Sequence, residues 1–264
     1  MVLNAMQIMS LNNATIKEYR KLLDKKGRAE ARAFIIEGVR MVGDALKSRA
    51  QISAVIFDRA KLAKFEEIID TARRSGIDCI ESNEKVLSAL SDTCVSQGIA
   101  AVCPFITREY VPQPSKKALV VLLDGLQDPG NIGTIIRTAE AAGAQAVILS
   151  EGSVDIYNPK LIRATMGSFF RIPVLTRNLP EAIRECKRAG FEVIAAAVDG
   201  GNFYDRQASI APKAVVIGSE ASGISPDVAG LADKVYRLPI DGGAESLNAA
   251  VAAGIFIYDL KNRS

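Results

Sequence analysis

LQDPGNIGTIIRTAEAAG (Leu126–Gly143), VVIGSEASGIS (Val215–Ser225) and LPIDGGAESLNAAVAAGIFIYDL (Leu238–Leu260) share one plan. Each comes off an apolar run that reads as a strand, then turns through glycines and small polar residues. The first and third continue into Ala-rich segments that read as helices. A strand, a glycine turn and a helix N-terminus together make a site for a polar ligand, because free backbone N–H groups face it and small side chains let the backbone come close. Three such turns in one stretch of chain predict a single pocket built from loop ends.

The same stretch decides the fold. Near-continuous apolar runs at 118–124, 146–150, 171–175, 192–198, 214–219 and 234–240 read as strands. Helical segments lie between them, including Thr134–Ala142 and Leu179–Ala189, with a last helix at about Leu247–Leu260. Strands without polar alternation are buried on both faces, so the expectation is an α/β domain with a parallel sheet and helices on both sides. Upstream, the order is helix (about 15–28), strand (34–38), helix (38–48), strand (52–57), helix (about 60–75), strand (78–82), short helix (83–90) and strand (98–102), a smaller α/β layer domain. The proline-containing VPQPSKK, residues 111–117, disfavours helix and offers few donors to a sheet, so it reads as a linker. The expected domains are therefore 1–110 and 118–264.

Composition narrows the chemistry. The chain has 264 residues and no histidine, which removes Ser-His-Asp and Cys-His nucleophile activation and most catalytic zinc sites. Cys79, Cys94, Cys103 and Cys186 form no C-x-x-C pair and read as buried structural thiols, with no metal expected. No apolar run reaches the length of a membrane span and residues 1–10 lack the basic start of a signal peptide, so a cytoplasmic protein without a membrane partner is expected. Net charge is only +3, but Lys17, Arg20, Lys21, Lys25, Lys26, Arg28, Arg32, Arg40, Lys47 and Arg49 outnumber the acids around them. That segment reads either as a solvated helix or as a phosphate-facing surface.

Taken singly the glycine turns are weak signals. Gly130-x-x-Gly133 is not G-x-G-x-x-G, and there is no Walker A sequence. Together they are specific. N-x-G-x-x-x-R-T-A (Asn131, Gly133, Arg137, Thr138, Ala139), G-S-E-x-x-G (Gly218, Ser219, Glu220, Gly223) and P-x-x-G-x-x-x-S-L-N (Pro239, Gly242, Ser246, Leu247, Asn248) resemble, in order and spacing, the SpoU/TrmH family of RNA 2′-O-ribose methyltransferases in the SPOUT superfamily. The likeness covers essentially the whole chain. NNATIKEYRKLLDKKGRAEARAFIIEGVRMVGDAL and SQGIAAV resemble the family's substrate-binding domain, which is related to an RNA-binding ribosomal-protein fold.

The resemblance implies a trefoil-knotted SPOUT domain, a homodimer, S-adenosyl-L-methionine as methyl donor and RNA as substrate, ribosomal RNA above all. It implies cofactor contacts at Gly218, Leu238 and Leu247, with Ile240 as neighbour, and catalytic roles for Arg137, Asn131, Glu220, Ser246 and Asn248. A free guanidinium is a poor base, being protonated throughout the pH range in which proteins work, so phosphate binding and stabilisation of a developing alkoxide suit Arg137 better. Its architectural alternative is an ion pair with Glu140. Asn131 is expected to hold its loop or orient Arg137, Glu220 to fix a guanidinium, Ser246 either to touch substrate or to cap the last helix, and Asn248 either to make direct contact or to serve the architecture. Leu238 and Leu247 have core packing as their alternative. Asp241 and Glu245 add two carboxylates to the third loop without an assigned role. The competing functions are a tRNA 2′-O-methyltransferase, a non-catalytic RNA-binding protein that keeps the fold, and a nucleotide-binding enzyme of another class such as a dehydrogenase.

Overall fold

The computed structural model describes residues 6–93 and 95–263. It separates into two compact units, one made of the chain to Thr107 together with Tyr157–Phe170, the other of Arg108–Ile156 and Arg171 onward.

The first unit holds β1 (Met6–Gln7), α1 (Ala14–Lys21), α2 (Lys25–Ala31), β2 (Ala33–Glu37), α3 (Val39–Lys47), β3 (Ala54–Asp58), α4 (Glu66–Arg74), β4 (Asp78–Ser82), α5 (Glu84–Ala89) and β5 (Ile99–Pro104). The sheet order is β1-β4-β3-β5-β2, with β5 antiparallel to β2 and β3 and the other pairs parallel. Ile35, Ile56, Ile80, Ala100 and Val102 line one face, against Ile16 and Leu22 of the α1 segment and Val86, Leu87 and Leu90 of the α5 segment. Period-two alternation thus places one set of apolar residues in this core.

One helix expected over about 15–28 is two, parted at Leu22–Asp24. The Arg28 guanidinium is buried and donates to the carbonyls of Leu22 and Leu23 at 3.0 and 2.8 Å, satisfying groups that a continuing helix would have bonded. Gly27 permits the corner, because a Cβ there would lie 2.1 Å from the Lys21 carbonyl oxygen. Arg28 therefore leaves the set of candidate phosphate ligands. The helix expected over about 60–75 begins instead as a 3₁₀ turn, Arg59–Lys64, before α4.

The second unit carries β6 (Leu119–Asp124), α6 (Pro129–Ala141) and β7 (Ala146–Ser150). The chain then contributes α7 (Pro159–Ala164) to the first unit and returns as β8 (Val174–Arg177), α8 (Leu179–Arg188), β9 (Glu192–Asn202), β10 (Lys213–Gly218), α9 (Pro226–Ala229), β11 (Lys234–Arg237) and α10 (Ala249–Asn262). The sheet order is β11-β9-β10-β6-β7-β8 and every pair is parallel. Val120, Leu122, Ile148, Val193, Ala214 and Val216 face Leu179, Ile183 and Cys186 of α8 and Val228 of α9. On β6 and β10, α10 also packs, and it crosses α6 closely. This is the expected parallel sheet with helices on both faces.

Between Pro104 and Leu119 there is neither helix nor strand. Within the second unit Gln145 holds that segment, accepting from Tyr110 Oη at 2.7 Å and donating to the Gln113 carbonyl at 2.7 Å. Cys103 and Cys186 are buried, and burial pushes both thiols up to about 12; they are inert structural thiols. Cys79 is half-buried, and Cys94 lies outside the described residues.

Candidate active site

β6 runs to β7 and β8 on one side, whereas β9, β10 and β11 lie on the other. The order reverses between β6 and β10, and the crevice beyond the carboxyl ends of two such strands is where open α/β sheets take ligands. The last residues of these strands, Asp124 and Gly218, are paired in register. All three glycine turns open from this edge or beside it.

Each turn has its own local cause. Asp128 caps α6, its Oδ1 accepting the Asn131 N–H at 2.7 Å, with Pro129 in the first turn. The second loop closes on itself, since Ser219 and Gly223 exchange backbone hydrogen bonds of 3.0 and 2.9 Å, and Gly223 has φ +66°. Asn248 caps α10, its Oδ1 accepting from Ala250 N at 2.9 Å and Val251 N at 3.3 Å. The cap is thus Asn248 and not Ser246, and the helix starts at Ala249.

Side chains from all three loops meet in one hydrogen-bonded chain. Asn131 Nδ2 donates to Glu220 Oε1, and Asn131 Oδ1 accepts from Asn248 Nδ2 at 3.0 Å. Both ends of the Asn131 amide are therefore taken up by the other two loops. Glu220, expected to fix a guanidinium, is instead held by this amide. Arg137 is exposed, with no hydrogen bond or ion pair among the described residues. Its expected architectural partner, Glu140, binds Arg171 through bonds of 3.1 and 3.2 Å. The Arg137 guanidinium is left available to an anion.

The third loop is open. Leu238 is half-buried, while Ile240 and Leu247 are each 37% exposed, so core packing does not account for Leu247. Ser246, Asp241 and Glu245 are exposed, and a Cβ on Gly242 or Gly243 would meet nothing within 4 Å. Apolar side chains, bare backbone and glycines make a surface suited to an adenine ring and its ribose. The residues present fit S-adenosylmethionine, which needs backbone donors and acceptors and no metal.

Gly218 has a cause the sequence did not disclose. A Cβ there would lie 2.3 to 2.5 Å from Gly223 C and O and Ile224 N, so the glycine lets the loop fold down on its own strand. A Gly218→Ala variant should remain folded but weaken S-adenosylmethionine binding more than tenfold in calorimetry, by displacing the loop. Wild-type affinity in that variant would separate the loop from the site. Asp128 could have been found as an acidic cap before Pro129; Asp124 carried no such signal.

Residues 118–258 match the SpoU rRNA Methylase family, and residues 13–101 match the MRM3-like substrate binding domain. The chain is 39% identical over 255 residues to the 23S rRNA (guanosine(2553)-2′-O)-methyltransferase RlmP of Bacillus subtilis (strain 168), covering 97% of this chain and 99% of that one. It is similar to the AdoMet-bound rRNA methyltransferase from Sinorhizobium meliloti, with a TM-score of 0.87 and 33% identity over 97% of both chains. The SpoU methyltransferase AviRb from Streptomyces viridochromogenes, in complex with AdoMet, aligns with a TM-score of 0.83 and 28% identity, covering 94% of this chain and 98% of that one.

Proposed function

The chain belongs to the SpoU rRNA methylase family, and on that premise we propose how its residues divide the work. The protein is an enzyme that transfers a methyl group from S-adenosylmethionine to a ribose 2′-hydroxyl of RNA, with ribosomal RNA as substrate. The observation that carries the assignment of the site is the Glu220–Asn131–Asn248 chain, which draws the three loops together at the switch point.

In this reading S-adenosylmethionine supplies an activated methyl group when bound, and the protein aligns the acceptor with it. Gly218, Leu238, Ile240 and Leu247 form the cofactor's surroundings, through main chain at the glycine and apolar contact at the others. Asn131, Glu220 and Asn248 keep the loops in place. Arg137 binds the target phosphate and stabilises charge growing on O2′. A guanidinium is no base, and with no histidine in the chain the hydroxyl proton passes to a carboxylate or to water. Ser246 faces solvent beside this cluster and is assigned to substrate contact.

The domain preceding VPQPSKK holds the RNA. Lys17, Arg20, Lys25 and Arg32 are exposed and without an ion pair among the described residues, whereas Lys21 is bonded to Glu18 at 2.8 Å. Changing Lys17, Arg20 and Lys25 to Glu, and leaving the buried Arg28 alone, should lower RNA affinity and flatten its salt dependence by about 0.7–0.9 in log–log slope per lost phosphate contact. Cofactor affinity should stay constant. An unchanged salt slope would return these helices to plain solvated faces.

The same reading includes a knotted course, a homodimer and a cytoplasmic location. The knot is supported by α10, which comes back from the third loop to pack on β10 and β6 at the middle of the sheet. The dimer is supported by Val251 and Tyr258, seven residues apart on one face of α10 and 52% and 48% exposed. No helix among the described residues is long and apolar enough to cross a membrane. The test of the function is a nucleotide-resolution map of 2′-O-methyl groups in ribosomal RNA from cells lacking the protein. One missing mark, restored by the purified enzyme with S-adenosylmethionine, is the expected result; a complete set of marks would overturn it.

A further inference from the structure

Asp124 ends β6 at the switch point and is only 8% exposed. It lies two residues beyond Leu122 and four beyond Val120, on the sheet face that packs against α8 and α9. A carboxylate on that face has left water and needs a partner. Its Oδ2 accepts the N–H of Ser225 at 2.8 Å, across 101 residues of chain.

Ser225 closes the second glycine loop. The inner side of that loop is fastened in three ways. Gly218 allows Gly223 and Ile224 to approach its Cα, Ile224 and Val228 enter the apolar cluster, and Asp124 takes the Ser225 N–H. The outer side, from Glu220 to Ser222, is exposed. Of the three fastenings, the carboxylate is the one that ties the second loop by a hydrogen bond to the strand carrying the first.

We propose that Asp124 is a positioning residue of the methyl-transfer site: its buried carboxylate clamps the loop 219–225 over the carboxyl end of β6 and so sets the affinity for S-adenosylmethionine without touching it. The proposal rests on the reading that this loop forms part of the cofactor site. A hydrogen bond to a charged group is among the stronger ones in a protein, and its loss leaves a loop free to move, which corresponds to a tenfold to hundredfold effect on a ligand bound there, on the order of the values seen for such bonds.

Two independent variants break the same bond. Asp124→Ala removes the acceptor. Ser225→Pro removes the donor at a residue whose φ of −63° suits a proline ring and whose side chain makes no capping bond. Each should raise the Kd for S-adenosylmethionine about tenfold or more by calorimetry, with RNA affinity unchanged. The double variant should be no weaker than the worse single one, because both changes delete one interaction. Asp124→Asn, whose amide oxygen still accepts, should fall between. Amide exchange at Ser225 should be slow in the wild type, where Asp124 accepts its N–H, and fast in Asp124→Ala.

Unchanged cofactor affinity in both single variants, or a lowered melting temperature with wild-type Kd, would overturn the proposal. So would full additivity in the double variant. A wild-type protein that binds no S-adenosylmethionine would instead refute the cofactor reading, and the Ser225 exchange rate would still decide whether Asp124 holds the loop.

Discussion

Replacing Arg137 with alanine should lower methyl transfer by about a hundred- to a thousandfold, the loss typical of removing one preorganised donor from developing negative charge. Fold and cofactor affinity should be preserved. Both expectations come from the surroundings of the residue. Arg137 is exposed and bonded to nothing among the described residues, while the nearby Glu140 is occupied by Arg171. Removing it therefore leaves no buried group unpaired and takes no brace from the loops, which are tied by Asn131, Glu220 and Asn248. Arg137→Lys should recover little, because a point charge does not reproduce a planar two-pronged contact with phosphate. Single-turnover rates at saturating RNA and S-adenosylmethionine, measured beside calorimetric affinities, check this. Near-normal turnover in Arg137→Ala would remove the residue from the chemical step. A matching loss in Asn131→Ala accompanied by weaker cofactor binding would fit the different task assigned to that side chain, which is holding loops and not charge.

How far this site could be read in advance depended on the range of the interactions. The strands of the second unit were legible because each is an unbroken apolar run, and its glycine turns stand out against such runs. The expected strand at 214–219 and the observed Lys213–Gly218 differ by one residue at each end. The expected strand at 171–175 begins later, at Val174, because Ser168–Phe170 forms a 3₁₀ turn and Pro173 has no N–H to give a ladder. The break between α1 and α2 was not legible: no proline marks it, and its cause is the side chain of Arg28 reaching back to two carbonyls. Glu220 shows the same limit within the site. Its residue type permits a guanidinium partner as readily as an amide one, and only the folded loops choose Asn131. Asp124 looked like the polar end of a strand; the bond to Ser225 that gives it meaning spans 101 residues.

The second large effect is expected far from the chemistry, at Tyr157. This residue belongs by position to the methyltransferase sequence, within the stretch between β7 and β8, yet it lies in the first unit. Its ring stacks on Phe105 with centroids 3.9 Å apart and planes 4° from parallel, and it lies 4.9 Å from Phe34 and 5.8 Å from Phe169. Its hydroxyl accepts the Ile106 N–H at 3.0 Å and donates to the Ile106 carbonyl at 3.2 Å. Such a group works as a bolt, with apolar area, ring geometry and two backbone bonds in one side chain. Tyr157→Ala should cost about 3–5 kcal/mol of the first unit's stability, the range for removing a buried aromatic side chain. Tyr157→Phe, which keeps the stack and strands the Ile106 backbone groups, should cost about 1–3 kcal/mol. Urea unfolding followed by the signals of Phe34 and Phe105 resonances would measure both. A stronger form of the same expectation concerns the fragment 1–110, which lacks Tyr157, the buried Leu161 and Ile162 of α7, and Phe169. Without them the β2 edge of its sheet loses its cover, since α7 packs there, and the fragment should show no sharp cooperative unfolding transition until residues 157–170 are supplied on a linker. If the bare fragment melts as cooperatively as the full chain, the aromatic cluster is an addition to a core that was already sufficient, and the first unit does not depend on residues 157–170.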